Sequence, residues 1–147
     1  MTTSTGPHHL ERFVAAQEGV YPAALAELRA GAKRTHWMWF VFPQIAGLGH
    51  SAMARLYAIG SRAEARSYLA HPVLGARLRE CAAALLQVHD KPIQAILGFP
   101  DDLKLKSSMT LFEAVDGGEQ VFADVLERYF QGERDVRTLE VLAGLGS

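Results

Sequence analysis

The stretch LGARLRECAAALLQV, residues 74–88, decides the fold class of this chain. Its apolar residues follow one another at alternating spacings of four and three: Leu74, Leu78, Cys81, Leu85 and Val88. This spacing places them on one face of an α-helix, whereas a half-buried strand would alternate at every second residue. The pattern predicts the longest helix of the chain, with this face, including the Cys81 thiol, packed in the core.

Signals that start and end helices recur along the rest of the chain. The predicted N-terminal caps are Ser51, Ser61 (with Glu64 completing a capping box), His71 (followed by Pro72) and Asp135. The predicted helix ends are Gly31, Gly60, Gly98 and Gly117–Gly118. A further helix is expected to begin at Ser107 or Ser108.

Strand signals are scarce by comparison. Residues 35–41 could alternate as a strand, but no partner strand is predicted nearby, and residues 102–106 alternate over too short a run. We therefore predict an all-α fold, with a single compact domain over residues 1–147 and about seven to nine mostly short helices. Residues 1–7 are expected to be a frayed N-terminal tail.

Charge and composition argue against several classes of protein. The 15 Lys and Arg nearly balance the 16 Asp and Glu, so the basic excess of a nucleic-acid-binding protein is missing. The small basic cluster of Arg29, Lys33 and Arg34 also contains Glu27, and we interpret it as a solvated face.

Membrane, disulfide and metal signals are also missing. No apolar run approaches the roughly 18 residues that span a bilayer, and residues 1–7 lack the features of a signal peptide. A single cysteine excludes an intrachain disulfide. The 6 histidines include no i, i+4 pair and have no cysteine partner at zinc-ligand spacing. We expect a soluble cytoplasmic protein with no metal and no cofactor.

The run THWMWFVFPQ, residues 35–44, holds both tryptophans of the chain. One interpretation is a buried core helix, because the segment is apolar on all sides. The other is the wall of a ligand pocket, in which Trp37 or Trp39 stacks on a base or sugar while His36 and Gln44 form hydrogen bonds. His36 is the best candidate for a catalytic acid or base, since histidine titrates near neutrality unaided. His50, in the following loop, could approach the same region.

The run DDLKLKSSMT, residues 101–110, is the second candidate. If a helix begins at Ser107 or Ser108, its free N–H groups, the two hydroxyls and Lys104 would together suit an anion or phosphate. The alternative is a capped helix that follows a loop with solvent-exposed lysines.

Four segments resemble, in order, the pattern of the domain-of-unknown-function family 1810: residues 10–17, 36–49, 71–78 and 102–112. The resemblance implies a single-domain, mostly helical fold found in bacteria and fungi, with no established activity. Some members carry the name calpastatin, a calpain inhibitor. Inhibitors of that kind are disordered, whereas this chain has the apolar content and periodicity of a folded core.

Two functions remain open at this point. The first is a pocket between the two runs, in which Trp37, Trp39, Gln44, Lys104, Ser107 and Ser108 bind a small anionic ligand such as a nucleotide, an ADP-ribose-like molecule or a sugar phosphate. The second is a non-enzymatic protein–protein interaction module whose motifs are structural core and whose partner surface is an exposed apolar patch. The first requires that the two runs meet in space.

Overall fold

Ten α-helices form the described part of the chain in the computed structural model, which covers residues 9–116 and 119–145. They are α1 (Glu11–Gln17), α2 (Tyr21–Ala30), α3 (Met38–Val41), α4 (Ala52–Leu56), α5 (Arg62–Ala70), α6 (Leu74–Leu86), α7 (Ile93–Leu97), α8 (Asp101–Asp116), α9 (Gln120–Phe130) and α10 (Val136–Leu145). The all-α class is confirmed, with ten helices in place of about seven to nine. The predicted tail at residues 1–7 and the predicted stop at Gly117–Gly118 lie outside the described residues.

Four helices form a closed ring of contacts at the centre of the fold. Helix α5 packs on α6 and α8, and α9 also packs on both α6 and α8. Other contacts attach α2 to α6, α3 to α1, and both α7 and α10 to α8. Within the described ranges, no helix is both long and apolar enough to cross a membrane.

The predicted seam of α6 faces this ring. Its residues from Leu74 to Leu85 are buried, and burial raises the pKa of the Cys81 thiol to about 12, as expected for a packed side chain. Three ring contacts run through the core from Phe13 to Tyr68 (5.1 Å between centroids), on to Phe112 (5.4 Å) and then to Phe122 (6.1 Å). The apolar periodicity therefore predicted the buried face correctly. The expectation that this helix is the longest was wrong, because α6 has 13 residues and α8 has 16.

The predicted caps are confirmed by their hydrogen bonds. The hydroxyls of Ser51 and Ser61 accept from the backbone N–H groups of the third residue after each, at 3.1 and 3.0 Å. Nδ1 of His71 accepts from the first N–H of α6 at 3.1 Å, and Oδ2 of Asp135 accepts from Thr138 N at 3.0 Å. Each side chain satisfies an N–H that the helix itself leaves unpaired.

The predicted start of α8 was wrong. The helix begins at Asp101, directly after Pro100, so Ser107 and Ser108 lie inside it. Asp101 and Asp102 occupy the first turn, where a negative charge is favoured by the helix dipole. The Ser107 hydroxyl donates to the carbonyl of Leu103 at 3.2 Å, a bond to the preceding turn and not a cap. Neither serine therefore marks a helix end with free N–H groups.

The aromatic run forms the short helix α3, not a strand. Gln17, which is buried, donates to the carbonyl of Phe40 at 2.7 Å, and the Tyr68 hydroxyl donates to the same oxygen at 3.3 Å. Beyond the helix, Ile59 N donates to Gln44 O at 2.8 Å, and an isolated parallel bridge joins Ile45 to Ile59. These bonds fix the loop after α3 against the segment after α4.

The close approach of α5 and α6 depends on Gly75. A Cβ at this position would lie 2.1 Å from the carbonyl oxygen of Leu69, and backbone cannot move aside cheaply. We expect Gly75→Ala to lower the free energy of unfolding by about 1–3 kcal/mol or more, measured by urea denaturation.

Gly144→Ala is the matched control, because a Cβ there would meet nothing within 4 Å. Gly144 lies in α10, so this change should leave stability unchanged or raise it by up to about 1 kcal/mol. Equal effects of the two changes would contradict the packing described for α5 and α6.

Candidate functional site

The two candidate runs meet at Trp39 and Lys104. The Lys104 ammonium lies 5.1 Å from the centroid of the Trp39 ring, within the range of a cation–π contact. Trp39 lies in α3 and Lys104 in the second turn of α8. This contact confirms that the runs come together in space.

A cavity of about 730 Å³ opens at this contact. We call it the α3–α8 cavity; it is lined by α3 and the loop after it, by α4, by the first two turns of α8 and by the start of α10. Its volume lies within the range of roughly 300–1,000 Å³ that is usual for small-molecule sites.

Four of the predicted binding residues line the cavity: Trp39, Gln44, Lys104 and Ser107. His50 lines it as well. Trp39 and Gln44 are partly exposed, and the side-chain amide of Gln44 has no hydrogen-bond partner in the described part of the chain. The amide and the indole are therefore free to contact a ligand.

The other three predicted residues do not line the cavity. Trp37 is fully buried, and its indole N–H is already used by Glu27 at 2.9 Å. Ser108 is also fully buried, because one helical residue turns it about 100° away from Ser107 and toward the core. His36 is exposed to solvent outside the cavity. The histidine that lines the cavity is His50.

The charged groups of the cavity are mostly cationic. The cavity is lined by four cationic side chains, those of Arg55, Lys104, Lys106 and Arg137, and by the carboxylate of Asp135. Arg55 and Arg137 are exposed, and their guanidinium groups have no partner among the described residues. Oδ2 of Asp135 is occupied by the cap of α10. A ligand would therefore meet unpaired positive charge supplied by side chains, not by a helix end.

Asp101 holds two lysines in place beside the tryptophans. Its Oδ2 lies 3.0 Å from Lys33 Nζ and its Oδ1 lies 3.4 Å from Lys104 Nζ. The Lys33 ammonium is 5.2 Å from the centroid of the Trp37 ring. The interpretation of Lys33 as a solvated residue was wrong: its side chain is only 8% exposed, because it reaches across to α8.

Sequence reasoning did not select Arg55 or Arg137 for the site. Arg137 comes two residues after the α10 cap, and nothing in its neighbourhood along the chain connects it to the aromatic run. It reaches the cavity because α10 packs on α8. No group of three or more His, Cys, Asp or Glu in the described ranges is placed to hold a metal ion.

Comparison with models of known protein families identifies the family of this chain. The model of the family described as "Protein of unknown function (DUF1810)" matches residues 7–142, which is nearly the whole chain. The chain belongs to DUF1810. The match confirms the family that the four sequence segments resemble.

The DUF1810 chain is also similar to a solved structure, the crystal structure of the conserved hypothetical protein Rv1873 from Mycobacterium tuberculosis. The two share 52% sequence identity, the similarity covers 93% of this chain and 98% of that chain, and the TM-score is 0.92. A comparison with curated proteins finds no match. Fold and family are thus shown, and neither comparison names an activity.

The partly exposed carboxylate of Glu27 determines which tryptophan of this DUF1810 protein faces the cavity. The Glu27 carboxylate accepts hydrogen bonds from Arg34 N (2.9 Å), Thr35 N (3.1 Å), Thr35 Oγ1 (2.7 Å) and Trp37 Nε1 (2.9 Å). Burial alone would raise the pKa of this carboxyl, but the hydrogen bonds outweigh it and lower the pKa to about 2. The charged form of Glu27 therefore secures the entry into α3.

We expect Glu27→Gln to lower the free energy of unfolding by about 1–3 kcal/mol at neutral pH, because charge-assisted bonds are lost. The folded-state pKa of about 2 lies below the ordinary value of 4.5. The contribution of the carboxylate is therefore complete above about pH 5 and disappears as pH falls toward about 2. Urea denaturation of the parent protein and of Glu27→Gln should be measured from about pH 5 to about pH 2. The difference between their free energies of unfolding should become smaller as the pH falls.

Glu18→Gln is the control, since Glu18 is exposed and its side chain has no bond in the described part of the chain. It should change the free energy of unfolding by less than about 0.5 kcal/mol. A difference between the parent protein and Glu27→Gln that stays constant down to the lowest pH would contradict the role assigned to the carboxylate.

Proposed function

We propose that the α3–α8 cavity binds a small anionic ligand that carries a planar or sugar group, such as a nucleotide, an ADP-ribose-like molecule or a sugar phosphate. The observation that carries this proposal is the composition of the cavity. The Trp39 ring and the Gln44 amide lie beside four cationic side chains and the Asp135 carboxylate in a space of about 730 Å³. Two of these cations, Arg55 and Arg137, have no partner among the described residues. Most of the lining otherwise consists of apolar side chains and backbone, as in typical ligand sites.

Each part of such a ligand has a partner of suitable chemistry. The Trp39 ring can stack on a base or contact the apolar face of a sugar, and the Gln44 amide can donate and accept at polar ring atoms. Arg55 and Arg137 can bind phosphate or carboxylate oxygens in bidentate fashion. The Lys104 ammonium contacts the Trp39 ring at one wall of the cavity, so it can bind an anionic group next to the base or sugar that stacks on that ring.

Binding alone is proposed, without a reaction. A catalytic acid or base needs a second group placed against the same reacting atom. His50 lines the cavity, but none of the hydrogen bonds of the described residues orients its ring against a carboxylate or a nucleophile. The cavity supports recognition of an anion by charge and stacking.

The test is a titration with AMP, ADP-ribose, ribose 5-phosphate and inorganic phosphate, followed by thermal shift and tryptophan fluorescence. A bound ligand should raise the melting temperature as its concentration passes the dissociation constant. Arg137→Gln and Lys104→Met should each weaken the affinity about tenfold, which corresponds to the loss of one charge-assisted contact. Trp39→Phe should remove the fluorescence response, whereas Trp37→Phe should keep it.

Arg66→Gln is the control for charge, because Arg66 is exposed on α5, outside the cavity. It should leave the affinity unchanged. The proposal would be contradicted if none of the four compounds raised the melting temperature. It would also be contradicted if a compound raised the melting temperature equally in the parent protein and in Lys104→Met.

The alternative is an interaction module, and one observation favours it. Phe99 is 76% exposed and Leu103 is 49% exposed, and Leu103 is itself part of the cavity lining. Apolar exposure of this kind is typical of a partner surface when it extends over a large patch. If a second copy of the chain binds here, sedimentation equilibrium should detect a dimer that Phe99→Asp dissociates; a strict monomer would exclude this self-association.

A further inference from the structure

One wall of the α3–α8 cavity is a loop that contributes no buried residue to the core. This 46–58 loop runs from the end of the aromatic run through α4, and every residue in it is partly or largely exposed. It nevertheless supplies much of the cavity lining, including His50, Ser51 and Arg55. A segment with few buried contacts can move at little cost while the core stays packed.

The two ends of the 46–58 loop are held together. Ile45 and Ile59 flank the loop, are both buried and form the isolated parallel bridge. Ala46 N donates to Ile59 O at 2.8 Å, and Ile59 N donates to Gln44 O at 2.8 Å. The loop therefore has the closed base of an Ω-loop, a compact kind of surface loop that frequently carries function. Its body can move without any change in the packing of the two isoleucines.

The body of the loop is packed as one unit. The Ser51 hydroxyl accepts from Ala54 N at 3.1 Å and so caps α4. Gly49 lies so close to the helix that a Cβ on it would stand 2.6 Å from the Cβ of Ala54. Because the stretch before α4 is packed against α4 itself, the two can move together as a rigid body.

The loop is attached to the rest of the protein at its C-terminal end. Arg12 donates from Nε to the carbonyl of Leu56 and from Nη2 to the carbonyl of Ala58, both at 2.7 Å. The Tyr57 ring packs against the Phe40 ring, with 5.3 Å between centroids. This end of the loop is the fixed one.

The opposite end has weaker attachments. Among the described residues, no hydrogen bond leads from residues 47–55 to a residue outside the loop. Gly47 has a φ of +101°, a conformation that favours glycine, and a Cβ there would meet nothing within 4 Å. Leu48 packs on the core by apolar contact, which is non-directional and permits sliding. This end can therefore swing about the fixed one.

Arg55 is the single Asp, Glu, Lys or Arg of the loop. Its side chain is exposed at the cavity, and its guanidinium has no partner among the described residues. The rigid fork of a guanidinium matches the oxygens of a phosphate or carboxylate. A ligand shifts a conformational equilibrium only by binding the two states with different affinity. A contact between Arg55 and a bound anion that forms only when the loop closes supplies that difference.

We propose that the 46–58 loop is a flap that closes the α3–α8 cavity over its anionic ligand and brings the Arg55 guanidinium onto the anion. The flap pivots about the end held by Arg12 and Tyr57, and Gly47 is its flexible point. The proposal rests on the anion binding proposed above and adds a conformational step to it. Closure covers the ligand and excludes water, which strengthens each pairing of charges in the cavity.

A fluorine label on the flap tests this movement. Ala52 is exposed and lies outside the cavity lining, so Ala52→Cys can be labelled with a trifluoromethyl thiol reagent. Cys81 is fully buried and stays unlabelled in the folded protein. Ala63→Cys is the matched control, because Ala63 is exposed on α5 outside the cavity.

The ¹⁹F spectrum is recorded without ligand and with AMP, ADP-ribose, ribose 5-phosphate or inorganic phosphate well above the dissociation constant. We expect every compound that raises the melting temperature to shift the signal of the label at position 52. The signal of the label at position 63 should stay unchanged.

Two further substitutions in the protein labelled at position 52 separate movement of the flap from occupancy of the cavity. Arg55→Gln should weaken the affinity about tenfold, the loss of one charge-assisted contact, and should abolish the ¹⁹F shift even at saturation. Arg137→Gln should weaken the affinity by a similar factor but keep the full shift at saturation, because Arg137 lies on α10 and not on the flap.

The flap would be excluded, and anion binding would stand, if a compound raised the melting temperature without shifting the signal at position 52. A full shift at saturation in Arg55→Gln, or an equal shift of the control label, would also overturn the proposal. If none of the four compounds raised the melting temperature, anion binding would fail and the flap with it.

Discussion

The Glu27 carboxylate is the constraint on which the candidate site depends. It accepts four hydrogen bonds from the segment that leads into α3, and the last of them comes from the Trp37 indole. Once Trp37 is anchored in the core, the turn of the short helix places Trp39 on another side, where it is partly exposed. An interaction that stabilises the fold thus also decides which aromatic ring reaches the cavity.

A second ionic contact extends this constraint to α8. Asp101, in the first turn of that helix, contacts Lys33 on one side and Lys104 on the other, and each lysine lies beside one tryptophan. Because Lys33 is nearly buried, its charge needs this partner to be tolerated. The result is a continuous connection from the end of α2 to the cavity wall. Trp39 and Lys104 are therefore positioned by these hydrogen bonds and ion pairs.

The charge at the α3–α8 cavity cannot be read from the composition of the chain. The guanidinium groups of Arg55 and Arg137 line this cavity and have no partner among the described residues. Counting charged residues along the sequence would not find this local excess, because the chain as a whole is nearly neutral. The excess depends on how each charge is paired with its neighbours in space. Such local imbalances are what a ligand recognises at close range.

The features that the sequence by itself determined depend on interactions between residues that are close together in the chain. Apolar spacing identified the buried face of α6, and side-chain caps identified four helix starts, because both depend on residues within one or two turns of each other. The start of α8 was missed because two neighbouring serines resemble a cap, while the true start combines Pro100 with acidic residues in the first turn. Only the tertiary structure decided the site: that Trp39 and not Trp37 lines it, that Ser107 faces it and Ser108 does not, and that Arg137 joins it. These outcomes depend on the rotation of α3 and α8 about their axes and on the packing of α10 against α8, which are set by contacts between residues far apart in the chain.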